Sequence, residues 1–190
     1  MQSTRRFLIA FCAVGFAASL LAAAPNGSAL DLRGNPQNPF SSNARVRVLL
    51  FVRSDCPITN RYAPELQRIS QEFKARGVEF WMVYPDASET ASAIETHLGQ
   101  YHFPGTPLLD PRHELVKRAH ATVAPEAAVF NAAGELVYHG RIDDRYVDIG
   151  KARPEPQVHD LEDAIAAVLS GKPVARAETR AVGCSLADVE

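Results

Sequence analysis

Apolar residues in this chain form short continuous runs separated by helical stripes, the pattern of an α/β domain. Val46 to Val52 is apolar apart from Arg47, and Val78 to Tyr84 forms a second run. Such runs predict strands covered on both faces. The segment between them carries one helical stripe, at Ile58, Tyr62, Leu66, Ile69 and Phe73. A strand, a helix and a strand in this order predict a right-handed βαβ unit with parallel strands.

Residues at the ends of this first helix suit its limits. Ser54 or Asp55 can cap its start, and Pro57 stands where proline is tolerated. Pro64 lies within the apolar pattern and is expected to kink the helix, because it lacks an N–H group. Gly77 suits the position just after its end. The sequence therefore predicts a helix over 57–76.

The second half of the chain predicts shorter elements. Asp86 and Glu89 form a possible capping box for a helix that runs to about Tyr101. A short helix over about 110–121 follows, then a hairpin of strands 127–131 and 135–140, and a last helix over 159–170. The loop over 141–158 is long and polar, which is typical of functional or disordered segments. We therefore expect an antiparallel half after the parallel one.

The two ends of the chain differ from the domain between them. Residues 1–29 contain Arg5 and Arg6 before an apolar run, which predicts an export signal of the general secretory or twin-arginine type. An uncleaved membrane anchor is the alternative, because the run approaches the spanning length. For the rest of the chain we predict a linker over 30–44, a domain over 45–170 and a tail over 171–190. We expect an exported protein, periplasmic or extracellular, of a bacterium.

Composition narrows the classes of function. The chain has 190 residues, of which 46% are hydrophobic and 22% charged, as in an ordinary single globular domain. The formal net charge of −2 gives no electrostatic reason to expect nucleic acid as a partner. A membrane is expected as a partner only if the signal stays attached.

Cysteines are the main candidates for chemistry. Cys12 lies in the predicted signal. Cleavage of the signal would leave Cys56 and Cys184 as one possible pair, structural or reactive. Cys56 follows a strand and begins a helix, where unpaired N–H groups and the helix dipole favour a thiolate. Arg53 is a cation that could stabilise this thiolate, whereas Asp55 opposes it. Cys56 is therefore the predicted nucleophile.

Several motifs resemble those of one superfamily. They are Asp55-Cys-Pro-Ile-Thr-Asn-Arg-Tyr62, Val123-Ala-Pro-Glu126, Arg141-Ile-Asp-Asp-Arg-Tyr-Val-Asp148 and Ala181-Val-Gly-Cys184. They resemble the thioredoxin-like superfamily, and within it the peroxiredoxin-like redoxins. The resemblance implies a three-layer α/β sandwich whose mixed central sheet has a parallel βαβ half and an antiparallel hairpin half. It also implies that Pro125 is cis and lies against Cys56.

Further groove positions follow from the same resemblance and from the expected place of the loop after the last strand. These candidates for a substrate groove are Pro57, Thr59, Asn60, Ala124, Arg141, Asp143 and Asp144. For the charged residues of the loop, a merely solvated surface is an equal alternative. Ala124 offers only its backbone N–H and C=O groups to a substrate strand.

Two departures from familiar relatives limit what the resemblance implies. Thr59 stands where a dithiol thioredoxin carries its second cysteine, and Arg53 and Leu49 stand where a typical peroxiredoxin carries Thr or Ser and Pro. We predict a thiol-dependent oxidoreductase in which Cys56 exchanges thiols with a disulfide. A thiol peroxidase and a redox-inactive binding module are the alternatives. The expected partners are a thiol or disulfide protein, or a peroxide, and an unidentified reductant.

No cofactor is expected. The histidines lack a ligand spacing such as His-x-x-x-His, and Asn60 stands where a copper chaperone of this fold carries its second cysteine, so no metal is predicted.

Cys184 is predicted to form an intramolecular disulfide with Cys56. Thirteen residues separate Gly171 from Cys184, and an extended tail of that length reaches on the order of 40 Å, enough to cross a small domain. Cys184 would then be the resolving thiol. A structural bridge and an unpaired thiol are the alternatives, since closing so long a loop would stabilise the fold in itself.

Overall fold

The structure, a computed structural model, describes residues 29–186. Four helices are present in this range: α1 (Pro57–Lys74), α2 (Ala91–Tyr101), α3 (Glu114–Ala119) and α4 (Asp160–Leu169). The main strands are β3 (Val46–Phe51), β4 (Val78–Tyr84), β5 (Thr106–Leu109), β7 (Glu126–Asn131) and β8 (Leu136–Gly140). The shorter strands are β1 (Ala29–Leu30), β2 (Pro36–Gln37), β6 (Val123–Ala124), β9 (Tyr146–Asp148), β10 (Lys151–Ala152) and β11 (Cys184–Ser185).

One mixed sheet forms the centre of the domain, in the order β2-β1-β5-β4-β3-β7-β8. β3 pairs with β4 in parallel, with Val46 opposite Val78, and β4 pairs with β5 in parallel. β7 pairs antiparallel with both β3 and β8. The predicted combination of a parallel βαβ half and an antiparallel hairpin half is confirmed.

Side chains of β3 point alternately to the two faces of the sheet and so enter two separate layers of the core. Val46, Val48 and Leu50 belong to a cluster that also contains buried residues of α1, α2 and α4. Leu49 and Phe51 point to the opposite face and share a second cluster with buried residues of α3. Because both faces of the sheet are covered, β3 is completely buried, as its apolar run predicted. The result is the predicted three-layer sandwich.

Several local predictions were wrong. Cys56 itself is the N-cap of α1, because the Ser54 and Asp55 side chains bind Glu89 and Arg53 instead. The N-cap of α2 is Thr90, whose side chain accepts a hydrogen bond from the Ala93 N–H, so the predicted capping box does not form. A two-residue cap motif is a local pattern, and tertiary hydrogen bonds to the same side chains override it.

Segments expected to lack secondary structure contain short strands. β1 and β2 lie in the range assigned to the linker, and β1 joins the sheet edge through Leu30 and Leu109. β9 and β10 form a ribbon within the loop 141–158. Pairs of two or three residues carry no periodicity that a sequence pattern could reveal.

Predictions for the chain ends have different outcomes. The export signal and its alternative as an anchor fall on residues 1–28, outside the described residues, apart from Ala29 at the start of β1. Within residues 29–186, no helix combines the length and apolar character that a membrane crossing requires. The described part of the tail, residues 171–186, forms no helix. The division into a linker, a domain and a tail stays a prediction.

Candidate active site

Cys56 lies where β3 passes into α1. Its backbone is extended, with φ −85° and ψ 113°, and its carbonyl accepts the first helical hydrogen bond, from the Asn60 N–H at 3.1 Å. Pro57 follows at the first helical position, where its missing N–H costs nothing. Cys56 is completely buried, with 0% of its surface exposed, and belongs to the core cluster.

The loop before β7 lies against the Cys56 sulfur. The Ala124–Pro125 peptide bond is cis. Cys56 Sγ is 3.1 Å from the Ala124 carbonyl oxygen, a distance at which the thiol donates a hydrogen bond. The structure therefore brings together Cys56, Ala124 and Pro125, which the sequence had grouped only through the resemblance.

Cys184 reaches the same place from the tail. β11 pairs antiparallel with β6, with Cys184 opposite Ala124 and Ser185 opposite Val123. The two thiols lie close enough for each to shift the pKa of the other. Both cysteines are free thiols in this structure. We call residues 177–186 the docking tail.

The two thiols differ in acidity. Burial raises the pKa of the Cys56 thiol, but hydrogen bonds from the Cys184 side chain and from the backbone and side chain of Thr59 outweigh burial, so this pKa lies below its ordinary value. Burial, the hydrogen bond to Cys56 and the negative charge of Cys56 raise the pKa of Cys184 to about 12. Cys56 is thus the member of the pair that ionises first, with Cys184 as the hydrogen-bond donor.

Thr59 and Asn60 occupy the first turn of α1. Thr59 is completely buried, and the interaction of its backbone and side chain with the Cys56 sulfur lowers the pKa of that thiol. The Asn60 side chain donates to the Ser54 carbonyl at 3.3 Å. Thr59 thus acts on the sulfur itself, whereas Asn60 holds the turn that carries it.

Arg53 faces the docking tail. Its Nε and Nη2 atoms bind the two Asp55 oxygens at 3.0 and 2.9 Å, and Nη1 donates to the Ser185 carbonyl at 3.1 Å. The positive charge of Arg53 lowers the pKa of Cys184, against the larger effect of burial. An effect of Arg53 on the Cys56 thiolate stays a prediction.

A partly buried network that the sequence did not reveal fixes the turn before Cys56. The Ser54 N–H and hydroxyl both donate to Glu89, at 2.7 and 2.6 Å. Asn60 Oδ1 lies 2.7 Å from His97 Nε2, and His97 Nδ1 lies 2.9 Å from the Tyr84 hydroxyl. Since an amide oxygen only accepts, His97 Nε2 carries the proton and Tyr84 donates to Nδ1. A histidine in the apolar stripe of α2 was the only available signal.

His97 makes the stability of the fold depend on pH. Burial lowers its pKa, so below about pH 6.5 the unfolded chain binds more protons than the native one. This contribution to stability is complete above the unfolded pKa and is lost as the pH falls through the lowered native pKa. We expect urea midpoints of the wild type to fall between about pH 7.5 and about pH 5, and to fall less in His97→Gln. Equal losses in both would contradict the assignment, and exposed His102, replaced in His102→Asn, is the control.

Glu126 is a second residue that the sequence analysis missed. Its buried carboxylate accepts hydrogen bonds from the Thr122 N–H at 2.8 Å and the Val123 N–H at 3.2 Å. These groups belong to the segment on which the docking tail pairs, and Leu186 N donates to the Thr122 carbonyl at 3.0 Å. Glu126 therefore positions the strand that positions Cys184. An acidic residue inside an apolar run, directly after Pro125, is the signal that could have found it.

Arg141, Asp143 and Asp144 bind partners other than Cys56. Arg141 pairs with Asp160 at 2.7 Å, and Asp144 accepts hydrogen bonds from the backbone of residues 157 and 158. Asp143 is 2% exposed and accepts a hydrogen bond from the Tyr62 hydroxyl at 2.6 Å. Burial raises the pKa of Asp143 despite these bonds. Their assignment to a substrate groove stays a prediction, and the contacts observed for them are with α1, α4 and the backbone of their own loop.

One group of potential metal ligands is present among the described residues. Glu65, His159 and Glu162 lie close enough together to share an ion. Arg68 already forms salt bridges with both glutamates. The guanidinium therefore supplies the positive charge at this place, and the cluster gives no reason to assign a metal.

Comparisons with known proteins identify the family and the fold. The Redoxin family model matches residues 22–153. A hypothetical protein of Sinorhizobium meliloti 1021 has a similar structure, with a TM-score of 0.71, 22% identity and coverage of 84% of this chain and 88% of the other. No curated protein matches the sequence.

Two further structures come from proteins with a described chemistry. A secreted Mycobacterium tuberculosis disulfide oxidoreductase homologous to E. coli DsbE has a TM-score of 0.52 and 19% identity, over 77% of this chain and 96% of the other. A thiol:disulfide interchange protein of the thioredoxin family from Chlorobium tepidum has a TM-score of 0.55 and 14% identity, over 75% of this chain and 92% of the other. At these identities the likeness shows the fold, which is thioredoxin-like. The chain belongs to the Redoxin family.

Proposed function

We propose that this protein is a thiol–disulfide oxidoreductase in which Cys56 is the attacking thiolate and Cys184 the resolving thiol. Membership of the Redoxin family supports thiol redox chemistry in general. The observation that carries the finer assignment is the antiparallel pairing of Cys184 with Ala124, whose carbonyl contacts Cys56. Cys184 thus takes the role of the second cysteine that Thr59 leaves unfilled.

Opposite pKa shifts divide the roles between the two cysteines. The Cys56 thiolate attacks one sulfur of a substrate disulfide, a Cys56–substrate disulfide forms, and the other substrate sulfur leaves as a thiolate that takes up a proton. Cys184 then loses its proton and attacks the Cys56 sulfur, which releases the second substrate thiol. The enzyme dithiol has given two electrons and two protons to the substrate and holds a Cys56–Cys184 disulfide. An external thiol reductant must restore the dithiol.

An extracytoplasmic location fits this chemistry. The apolar run behind Arg5 and Arg6 supports export, and disulfides persist in a bacterial periplasm or outside the cell. One protein of similar structure is a secreted disulfide oxidoreductase. The substrate would be a protein that carries a disulfide or a thiol pair.

Peroxide reduction is the second candidate, and one observation favours it. Cys56 is completely buried beneath the docking tail, which a small oxidant passes more easily than a protein disulfide does. The thiolate would attack a peroxide oxygen, the O–O bond would break, and water or an alcohol would leave. The resulting sulfenic acid would condense with Cys184 to the same disulfide, with loss of water.

Peptide mapping tests the shared intermediate. Trypsin cleaves after Arg53, Arg61 and Arg180, so Cys56 lies in peptide 54–61 and Cys184 in peptide 181–190. After one equivalent of a disulfide oxidant, or of hydrogen peroxide, we expect these two peptides to be linked under nonreducing conditions.

The outcomes separate the candidates. A linked pair formed faster by the disulfide supports exchange, and one formed faster by peroxide supports the peroxidase. Unlinked peptides that carry unmodified cysteines after both treatments would point to a redox-inactive binding module.

A further inference from the structure

We propose that the downstream part of the docking tail, residues 183–186, is a self-docked strand that a protein substrate must displace, and that the substrate segment taking its place has the same chemistry. The substrate segment would carry glycine, cysteine, any residue and a large apolar residue in that order, as residues 183–186 do. The proposal rests on the proposed function, since it names the substrate class of the same site.

The docked strand closes the site. Cys56 is 0% exposed while Cys184 lies opposite Ala124. Downstream of Cys184, Leu186 is 5% exposed and belongs to the second core cluster. A polypeptide disulfide is far larger than the space left at the Cys56 sulfur, so it reaches this sulfur only after the strand has moved.

Residues upstream and downstream of 180–182 contact different parts of the domain. Upstream, His139 N donates to the Ala177 carbonyl at 2.9 Å, and Thr179 N donates to the His139 carbonyl at 3.1 Å. The Thr179 hydroxyl also binds the Tyr138 hydroxyl at 2.7 Å and the Arg141 N–H at 3.1 Å. The upstream part is therefore held at the edge strand β8, independently of β6, so residues 183–186 can detach while it stays in place.

Close approach dictates the glycine. A Cβ atom at Gly183 would lie 2.1 Å from the Ala124 carbonyl oxygen and 2.6 Å from its carbon. These are backbone atoms, which cannot move aside as the end of a flexible side chain can. Any residue larger than glycine at position 183 therefore forces the strand away from this loop. The residue before the cysteine of a bound segment must therefore be glycine.

The apolar requirement comes from Leu186. This side chain leaves solvent at a position two residues after Cys184, and its N–H donates to the Thr122 carbonyl at 3.0 Å. Ser185, between them, is exposed and offers its carbonyl to Arg53. Burial of a side chain of this size contributes enough to discriminate between segments by roughly tenfold or more.

A peptide disulfide exchange assay tests the proposal in the full chain. Cys12→Ser and Cys184→Ser leave Cys56 as the one thiol of the protein. The probe is a synthetic peptide of residues 181–190 whose cysteine is joined to 5-thio-2-nitrobenzoate. The Cys56 thiolate attacks the peptide sulfur, the Cys56–peptide disulfide forms, and the aromatic thiolate leaves, which its absorbance reports.

Gly183→Ala in the protein is expected to speed this reaction by roughly tenfold or more, because the tail no longer covers Cys56. Gly99→Ala is the matched control, since an added Cβ at Gly99 meets nothing within 4 Å. Leu186→Ser is a second way to release the strand, should Gly183→Ala fold poorly by circular dichroism. In the probe peptide, alanine at the glycine or serine at the leucine is expected to slow the reaction by a similar factor.

Two results overturn the proposal. The first is a reaction no faster in either tail variant than in Gly99→Ala, and the second is equal rates for the three peptides. The small disulfide 5,5′-dithiobis(2-nitrobenzoate) separates this failure from failure of the proposed function. A Cys56 that reacts with the small disulfide but does not discriminate between peptides refutes only the groove, whereas a Cys56 inert to both in every variant refutes the proposed function.

Discussion

Cys56→Ser is expected to abolish turnover of a disulfide substrate while the protein stays folded. The hydroxyl cannot form the mixed disulfide through which exchange proceeds. Serine is nearly the same size and can still donate to the Ala124 carbonyl, so the packing around this completely buried position is largely retained. Turnover with excess reductant, measured beside the thermal midpoint, checks both parts. Normal turnover in a folded Cys56→Ser variant would remove Cys56 from the mechanism.

Cys184→Ser is the matched comparison. With Cys56 intact, this variant is expected to react once and to accumulate the mixed disulfide, because the resolving thiol is missing. A single burst of about one equivalent, followed by slow release through the reductant, is the expected course. If Cys184→Ser turned over at the wild-type rate, Cys184 would be a structural or unpaired thiol.

Glu126→Ala is expected to have the largest effect among residues that do not react. Its buried carboxylate holds the N–H groups of Thr122 and Val123, and hydrogen bonds to a charged group contribute about 1.5–3 kcal/mol each. Because these values are not additive, we expect a loss of about 3 kcal/mol and a fall of the thermal midpoint by about 6–12 °C. The same change is expected to slow formation of the Cys56–Cys184 disulfide, since β6 carries the tail.

Glu126→Gln is the control, because its amide oxygen still accepts a hydrogen bond. We expect this variant to recover much of the stability and of the rate of disulfide formation. Equal losses in both variants would mean that the charge itself, and not the acceptor, acts on the site. An unchanged rate in a destabilised Glu126→Ala would limit Glu126 to a structural role.

The elements with long, regular patterns were predictable from the sequence. The apolar run of β3 and the helical stripe of α1 are both determined by which faces must be buried, and burial leaves a period that is visible along the chain. Cys56 could be found because its position at their junction follows from these two elements. The parallel half followed from the helix between two strands, and the antiparallel half from the hairpin pattern after it.

Contacts between distant segments explain what the sequence did not reveal. The tail was long enough to bring Cys184 to Cys56, but length does not give the register that sets Cys184 opposite Ala124. His97 and Glu89 lie more than thirty positions from Asn60 and Ser54, to which they bind. In the sequence, Asp143 lies in a polar loop and is compatible with a solvated surface. In the fold it is buried and accepts a hydrogen bond from Tyr62.

The central sheet ends on both sides in segments from the ends of the domain. β1 pairs with β5 on one side, and β2, outside it, begins with Pro36, which has no N–H group to offer. On the other side, the backbone of residues 177 and 179 forms hydrogen bonds with that of His139 in β8. Open strand edges recruit further chains and lead to aggregation. Removal of either segment by a protease is therefore expected to expose a strand edge and to promote self-association. The tail that carries Cys184 thus also protects the sheet from aggregation.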